Sequence, residues 1–228
     1  MTETQARHEI CRIGESLFAR GYVHATAGNI SVRLEDDTFL ITPTDACLGR
    51  LDPARIAKVG AQLQHLSGDR PSKTIAVHQQ IYAAATRFDA GTRCVIHTHS
   101  THCVALSLDV AAVERANTGG EWLPAITPYF VMKVGHVPLI PYHRPGDPQA
   151  AALIAQAITR WGERGAPVRA VMLERLGPNV WHDSPAAAMA TLEELEETAR
   201  LWLMSQPKPA PLTDVQTDEL RRQFGARW

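Results

Sequence analysis

The sequence predicts a single α/β domain in which helices cover a sheet that is not purely parallel. Three observations carry this expectation. Helical periodicities alternate with short apolar or alternating runs along the whole chain. A hairpin lies near the start, and several strand connections are short. The length of 228 residues is enough for one substantial core, and the domain is expected to span 1–228.

The elements follow in order. Ile10, Ile13, Leu17 and Phe18 recur at helical spacing between Glu3 and Arg20, and Gly21 is a plausible stop. Ile30, Val32 and Leu34 alternate with polar residues, and Phe39-Leu40-Ile41 follows the polar turn Glu35-Asp36-Asp37, which predicts the hairpin. Asp52-Pro53 fits the start of a short helix, while "RIAKV" fits a strand. Ser72 caps a helix expected over 73–87, with Ile75, Val77, His78, Ile81 and Tyr82 facing inward. "RCVIHTH" is a short buried strand and "STHCVALSL" a helix start; 108–135 gives the weakest pattern. "HVPLIPY" is extended, because proline has no place inside a helix. Asp147-Pro148 opens a helix to about Arg164, "VRAVML" is a buried strand, and "GPNVW" is extended. Ser184-Pro185 opens a helix to about Met204, and a last amphipathic helix covers Thr213 to Phe224.

Composition narrows the function classes. Hydrophobic residues make up 45% and charged residues 21%, and the formal net charge is −1. Nothing in that balance favours nucleic acid or an anionic membrane as partner, although a local basic pocket remains compatible with a small anion. The N-terminal stretch lacks a secretory signal, and no apolar run reaches the length needed to cross a bilayer, so a cytoplasmic protein is expected. Cys11, Cys47, Cys94 and Cys103 are scattered and read as buried free thiols.

Four stretches carry chemistry. In "VIHTHSTH", His97 and His99 stand two apart at a strand end, so both imidazoles can converge on one ion; His102 need not face the same way. In "TAGNIS", Gly28 permits close approach of a ligand and Asn29 offers an amide. "ITPTD" sets two hydroxyls about a proline. "SGDRPSK" brings a hydroxyl, an ammonium and a helix N-terminus together, the makings of an anion site.

Taken in order, these four stretches resemble the class II aldolase/adducin family, and the similarity runs from the first helix to "TLEELEETARL". The resemblance implies a three-layer α/β/α sandwich with a largely antiparallel central sheet, and a homotetramer with sites between subunits. It implies that Gly28, Asn29, Thr44, Asp45, Ser72 and Lys73 bind a substrate phosphate. It implies that His97 and His99 hold a divalent metal, zinc in the first place. Within the family, "ACLGRLDPARIAKV", "TPYFVMKVGHVPLIPYHRPGD" and "LGPNVW" look most like the branch that decarboxylates 3-oxo-tetronate 4-phosphates to dihydroxyacetone phosphate and carbon dioxide. The partner implied is then a small phosphorylated sugar acid. A retro-aldolase or dehydratase on another sugar phosphate, or a non-catalytic adducin-like module, is the alternative.

Two positions depart from the family pattern. Thr74 stands where catalytic members carry a glutamate, and a threonine hydroxyl is no carboxylate base. Leu176 stands where they carry a third metal-binding histidine. Among the remaining histidines, His24, His78, His102, His136, His143 and His182, the choice for a replacement ligand falls on His136 ahead of His143, while His78 reads as structural. Loss of the glutamate counts against aldol cleavage more than against decarboxylation of a β-oxo acid, where Lys73 or Tyr129 would deliver the closing proton.

Overall fold

One sheet of eight strands organises the chain, and the computed structural model describes all of residues 1–228. Its strands are β1 (Asn29–Arg33), β2 (Phe39–Ile41), β3 (Ala57–Val59), β4 (His65–Ser67), β5 (Cys94–His97), β6 (Leu139–Ile140), β7 (Ala170–Leu173) and β8 (Gly177–His182). Their spatial order is β4-β3-β2-β1-β5-β8-β7-β6. Every neighbouring pair is antiparallel except β6 with β7. The expected hairpin is the β1–β2 pair, with Ser31 opposite Ile41 and Arg33 opposite Phe39.

The eight helices are α1 (Glu3–Ala19), α2 (Ile75–Ala85), α3 (Thr101–Ser107), α4 (Val110–Asn117), α5 (Pro128–Lys133), α6 (Pro148–Glu163), α7 (Pro185–Met204) and α8 (Asp214–Phe224). Side-chain caps fix most of their starts. Thr2 and Thr213 form capping boxes with Gln5 and Gln216. Asp147 and Ser184 each accept a backbone N–H in front of a proline in the first turn of α6 and α7.

Because side chains alternate across a strand, the two faces of the sheet feed two cores. Ile30, Leu40, Ile96, Met172 and Val180 pack into one core with residues of α1, α3, α5 and α7. Phe39, Val59, Val95, Val171 and Trp181 pack into a second core with residues of α2 and α6. Trp181 is 2% exposed, and covering a side chain of that size stabilises the fold by about 2–3 kcal/mol.

Several segments differ from the sequence expectation. Residues 52–59 use both options: Asp52 caps a 3-10 turn at Pro53–Arg55, and β3 follows at once. The helix expected from residue 73 begins at Ile75, because Ser72 to Thr74 are taken up in a hydroxyl-bonded turn. The weakly patterned stretch 108–135 holds α4 and α5, started by Asp109, which accepts from Ala111 and Ala112, and by Thr127, which accepts from Phe130. Strand β4 has no apolar alternation to betray it, since all three residues are exposed. The four cysteines are free; Cys94 and Cys103 are buried, whereas Cys11 and Cys47 are only partly so. No helix is long and apolar enough to cross a membrane.

Candidate active site

The four motifs meet in one cavity of about 430 Å³, on the sheet face covered by α2 and α6. Its floor is a row across three strands: Asn29 on β1 pairs with His97 on β5, and His97 pairs with Asn179 on β8. All three share the parity of Val95 and Trp181, the residues that pack toward α2 and α6.

His97 is 5% exposed, and its Nδ1 donates to the carbonyl oxygen of Pro178 at 3.0 Å. A carbonyl can only accept, so the proton sits on Nδ1 and Nε2 keeps a free lone pair, the tautomer a metal ligand needs. The His99 ring lies 5.1 Å from that of His97 at 68°. Strand β5 ends at His97, so His99 reaches the cavity from the turn beyond rather than from the strand. Burial, helped by the neighbouring His99, pushes the His97 pKa down to about 3, against the opposing Pro178 carbonyl. Burial lowers that of His99 too, with a smaller contribution from His24, whose ring is 6.3 Å away. Both imidazoles are therefore neutral at pH 7, the form that binds a cation.

The opposite wall gathers hydroxyls and charged side chains. Thr44 donates its backbone N–H to Arg70 at 2.9 Å and Ser72 donates to Thr42 at 3.2 Å, which ties the two loops together. Ser72, Lys73 and Thr74 stand at the N-terminus of α2, with the Ser72 and Thr74 hydroxyls 2.8 Å apart. Arg70 and Lys73 line the cavity beside the positive end of a helix, and the carboxylates of Asp45, Asp147 and Glu174 line it as well. Arg144 lines the far side, 3.6 Å from Asp147. Gly28, with φ +84°, lets its loop pass the floor: a Cβ there would lie 2.9 Å from the His97 carbonyl oxygen.

Gly28, Asn29, Thr44, Asp45, Ser72, Lys73, Thr74, His97 and His99 thus all line one cavity. His136 does not, and the expectation that it ligates the ion is corrected. Its ring is stacked between Trp161 and Trp228, at 4.0 and 4.1 Å, and its Nδ1 lies 2.8 Å from Glu121. That histidine is packed and hydrogen-bonded away from the cavity. His143, placed second, does line it. Tyr129 is 61% exposed at the start of α5, outside the cavity of its own chain. His102 is held elsewhere, 2.8 Å from Glu196.

Reading the sequence missed Arg70, Arg144, Glu174 and Asn179, which also line the cavity. Arg70 had a signal, a cation directly before the Pro-Ser of the anion loop. Asn179 had none, because an extended "GPNVW" does not say which strand it pairs with, and only the ladder shows it beside His97.

Nowhere do three His, Cys, Asp or Glu side chains cluster tightly enough to hold a metal ion. The donor set therefore fits a divalent ion through two neutral imidazoles, one short of the usual three protein ligands. Leu176 forms part of the wall and offers no donor.

His78 is the structural histidine that its place on α2 predicts. It is fully buried, with Nδ1 2.7 Å from the Ser31 hydroxyl, which lies 2.9 Å from the Tyr82 hydroxyl. Burial, with a smaller contribution from His97, pushes its pKa down to about 3 from 6.5. Between those values the unfolded chain binds a proton that the folded chain refuses. Stability is then fully present above about pH 6.5 and falls as pH drops, by about 1.4 kcal/mol per pH unit for this group. Urea unfolding of the His78→Gln variant should therefore lose about 2 kcal/mol less than wild type between pH 7.5 and 5. Equal losses would show that His78 does not set the acid limit.

A mixed, mostly antiparallel sheet, with two neutral imidazoles facing hydroxyls and cations across one cavity, defines an α/β protein with an enzyme-like site. The chain belongs to the class II aldolase and adducin family: residues 8–203 match the Class II Aldolase and Adducin N-terminal domain. It is 53% identical to a 3-oxo-tetronate 4-phosphate decarboxylase of Cupriavidus necator, over 100% of this chain and 99% of that one. It is 40% identical to the protein of that name in Escherichia coli K12, over 96% of each. Among solved structures, YgbL of Klebsiella pneumoniae superposes with a TM-score of 0.84 at 38% identity, covering 97% of this chain and 100% of that one. An L-fuculose 1-phosphate aldolase shares the fold, with a TM-score of 0.78 at 20% identity over 99% of this chain and 98% of that one.

Proposed function

We propose that the protein is a three-layer α/β/α carboxy-lyase that converts a 3-oxo-tetronate 4-phosphate to dihydroxyacetone phosphate and carbon dioxide. The observation that carries this reading is the meeting, in one cavity, of the cations Arg70 and Lys73 at the start of α2 with the neutral pair His97 and His99. The full-length identity to decarboxylases of that substrate supports it.

The phosphate is held at the α2 N-terminus by Ser72, Lys73 and Arg70, with Thr44 and Asp45 beside it, and the loop at Gly28 and Asn29 closes the seat. The other end of the substrate then lies on His97 and His99. His97 and His99 would hold a divalent ion, zinc in the first place, and such an ion would supply Lewis-acid polarisation of the oxo group, which favours loss of the carboxylate as carbon dioxide. The electron pair passes into an enediolate, and the carbon that lost carbon dioxide takes up a proton. Lys73 or Tyr129 supplies it; in a homotetramer with sites between copies, the exposed Tyr129 reaches a neighbouring cavity. Thr74, hydrogen-bonded to Ser72, serves the anion seat and not as base. The protein is cytoplasmic in this reading, as a phosphorylated intermediate requires.

Incubation with both C2 epimers of the substrate and a divalent ion should release carbon dioxide and dihydroxyacetone phosphate in equal amounts. Failure with both rejects the substrate; an aldehyde product or loss of water assigns a retro-aldolase or dehydratase instead. Lys73→Ala removes a charge-assisted contact to phosphate, about 1.5–3 kcal/mol, and should raise KM roughly 10- to 150-fold. Steady-state kinetics check this, and an unchanged KM would move the phosphate seat elsewhere.

A further inference from the structure

The cavity runs across the sheet, and its two ends are built from different parts of the chain. One end lies where Pro43 and Pro71 bridge beyond β2, with Ser72 and Lys73 at the start of α2. His97 and His99 follow in the middle, at the end of β5. Residues 141–147, the connection from β6 to α6, close the other end. Strand β6 stands three places beyond β5 in the sheet, about 14 Å at the usual strand spacing.

This connection is held by its own hydrogen bonds. Tyr142 donates its N–H to Glu174 at 3.0 Å, and the His143 Nδ1 donates to the Pro141 carbonyl oxygen at 2.7 Å. Asp147 accepts the Gln149 N–H at 3.0 Å as the cap of α6. Arg144 is not held in this way. Its nearest carboxylate, Asp147, stands 3.6 Å from Nε, and its side chain is 72% exposed. It is also the one arginine or lysine that this end gives to the cavity.

We propose that Arg144 is the specificity residue for the substrate's carboxylate, turning in from the β6–α6 connection to pair with it, so that phosphorylated acids are preferred to phosphorylated polyols of the same length. This rests on the reading of the cavity as the site of a phosphorylated sugar acid. Such an acid is negative at both ends, whereas a polyol phosphate is negative at one. Arg70 and Lys73 answer the phosphate, and the chain beyond it points its carboxylate toward β6. A guanidinium offers two parallel N–H groups that match both oxygens of a carboxylate, which a terminal alcohol cannot do. The loose, exposed contact with Asp147 costs little to give up, and Asp147 keeps its cap when Arg144 leaves.

The test uses the whole protein, zinc held at one concentration, and two ligands that cannot lose carbon dioxide. Erythronate 4-phosphate has the carboxylate; erythritol 4-phosphate has an alcohol in its place. Calorimetry gives both affinities. Wild type should prefer the acid by at least about tenfold. Arg144→Met keeps most of the stem and drops the charge. It should weaken the acid about tenfold and leave the polyol within about twofold, so that the preference disappears. Arg144→Lys, a charge without the fork, should fall between the two. Lys73→Ala should weaken both ligands by the same factor and keep the preference, because it acts at the phosphate end. Wild type without a preference overturns the proposal, as does a preference that survives Arg144→Met or a variant that weakens both ligands alike. Carbon dioxide release by wild type from the 3-oxo acid is scored separately. An Arg144-dependent preference without release rejects only the substrate reading, and release with a preference indifferent to Arg144 rejects only this inference.

Discussion

His97→Ala should abolish retention of a divalent ion and lower carbon dioxide release by about 10³-fold, the loss of roughly 4 kcal/mol of transition-state stabilisation. The size of the effect follows from the small number of donors. His97 and His99 are the adjacent imidazoles of the cavity, and the Nδ1 bond to Pro178 leaves the His97 Nε2 lone pair free. Losing one of two ligands leaves a single imidazole, which no longer holds an ion at micromolar concentration. Metal content after dialysis and the initial rate of gas release are the two measurements. His136→Ala provides the contrast. It removes a ring stacked between two tryptophans, so it should lower the melting temperature yet leave metal content unchanged. A His136→Ala protein that loses its metal while staying folded would restore His136 as a ligand.

Gly177→Ala should prevent the site from forming and destabilise the fold by about 3–5 kcal/mol, the sum of backbone strain and overpacking. Gly177 opens β8 at φ +140°, where an L side chain is strained, and a Cβ there would fall onto the carbonyl oxygen of Thr98. Thr98 lies between the two imidazoles, and its N–H donates to Pro178 at 3.2 Å. Any retreat of this strand therefore drags the turn that carries His99. Chemical denaturation of the variant reads the stability. A variant within 1 kcal/mol of wild type would mean that the turn relaxes at little cost. Leu176→His alters the neighbouring residue without touching this contact, so the two variants separate backbone crowding from ligand chemistry.

Much of this architecture was legible because local signals and burial agreed. The β1–β2 hairpin, the proline-opened α6 and α7 and the buried β5 each carry a period, a cap or an apolar run that names them. What escaped the sequence was set by tertiary context. Strand β4 is paired on one side and exposed throughout, so no side-chain pattern records it. The start of α2 shifted because the Ser72 and Thr74 hydroxyls bond to each other before the helix begins. The resemblance pointed to the segment that holds His136 and His143, but not to which of these histidines faces the cavity. His136 was drawn into an aromatic stack whose members, Trp161 and Trp228, lie far away in sequence. Asn179 was invisible for a similar reason: its neighbour across the ladder is 82 positions upstream, at His97.

The parity of the central strands has an evolutionary consequence. At 29, 97 and 179 the side chains face the cavity, while at 30, 96 and 180 they lock the opposite core. Chemistry and cohesion are thus written on interleaved letters of the same three strands. Mutation can rewrite one set while the other stays fixed. Such a sheet can lose a histidine, gain an amide, and explore new small-molecule reactions without first having to relearn how to fold.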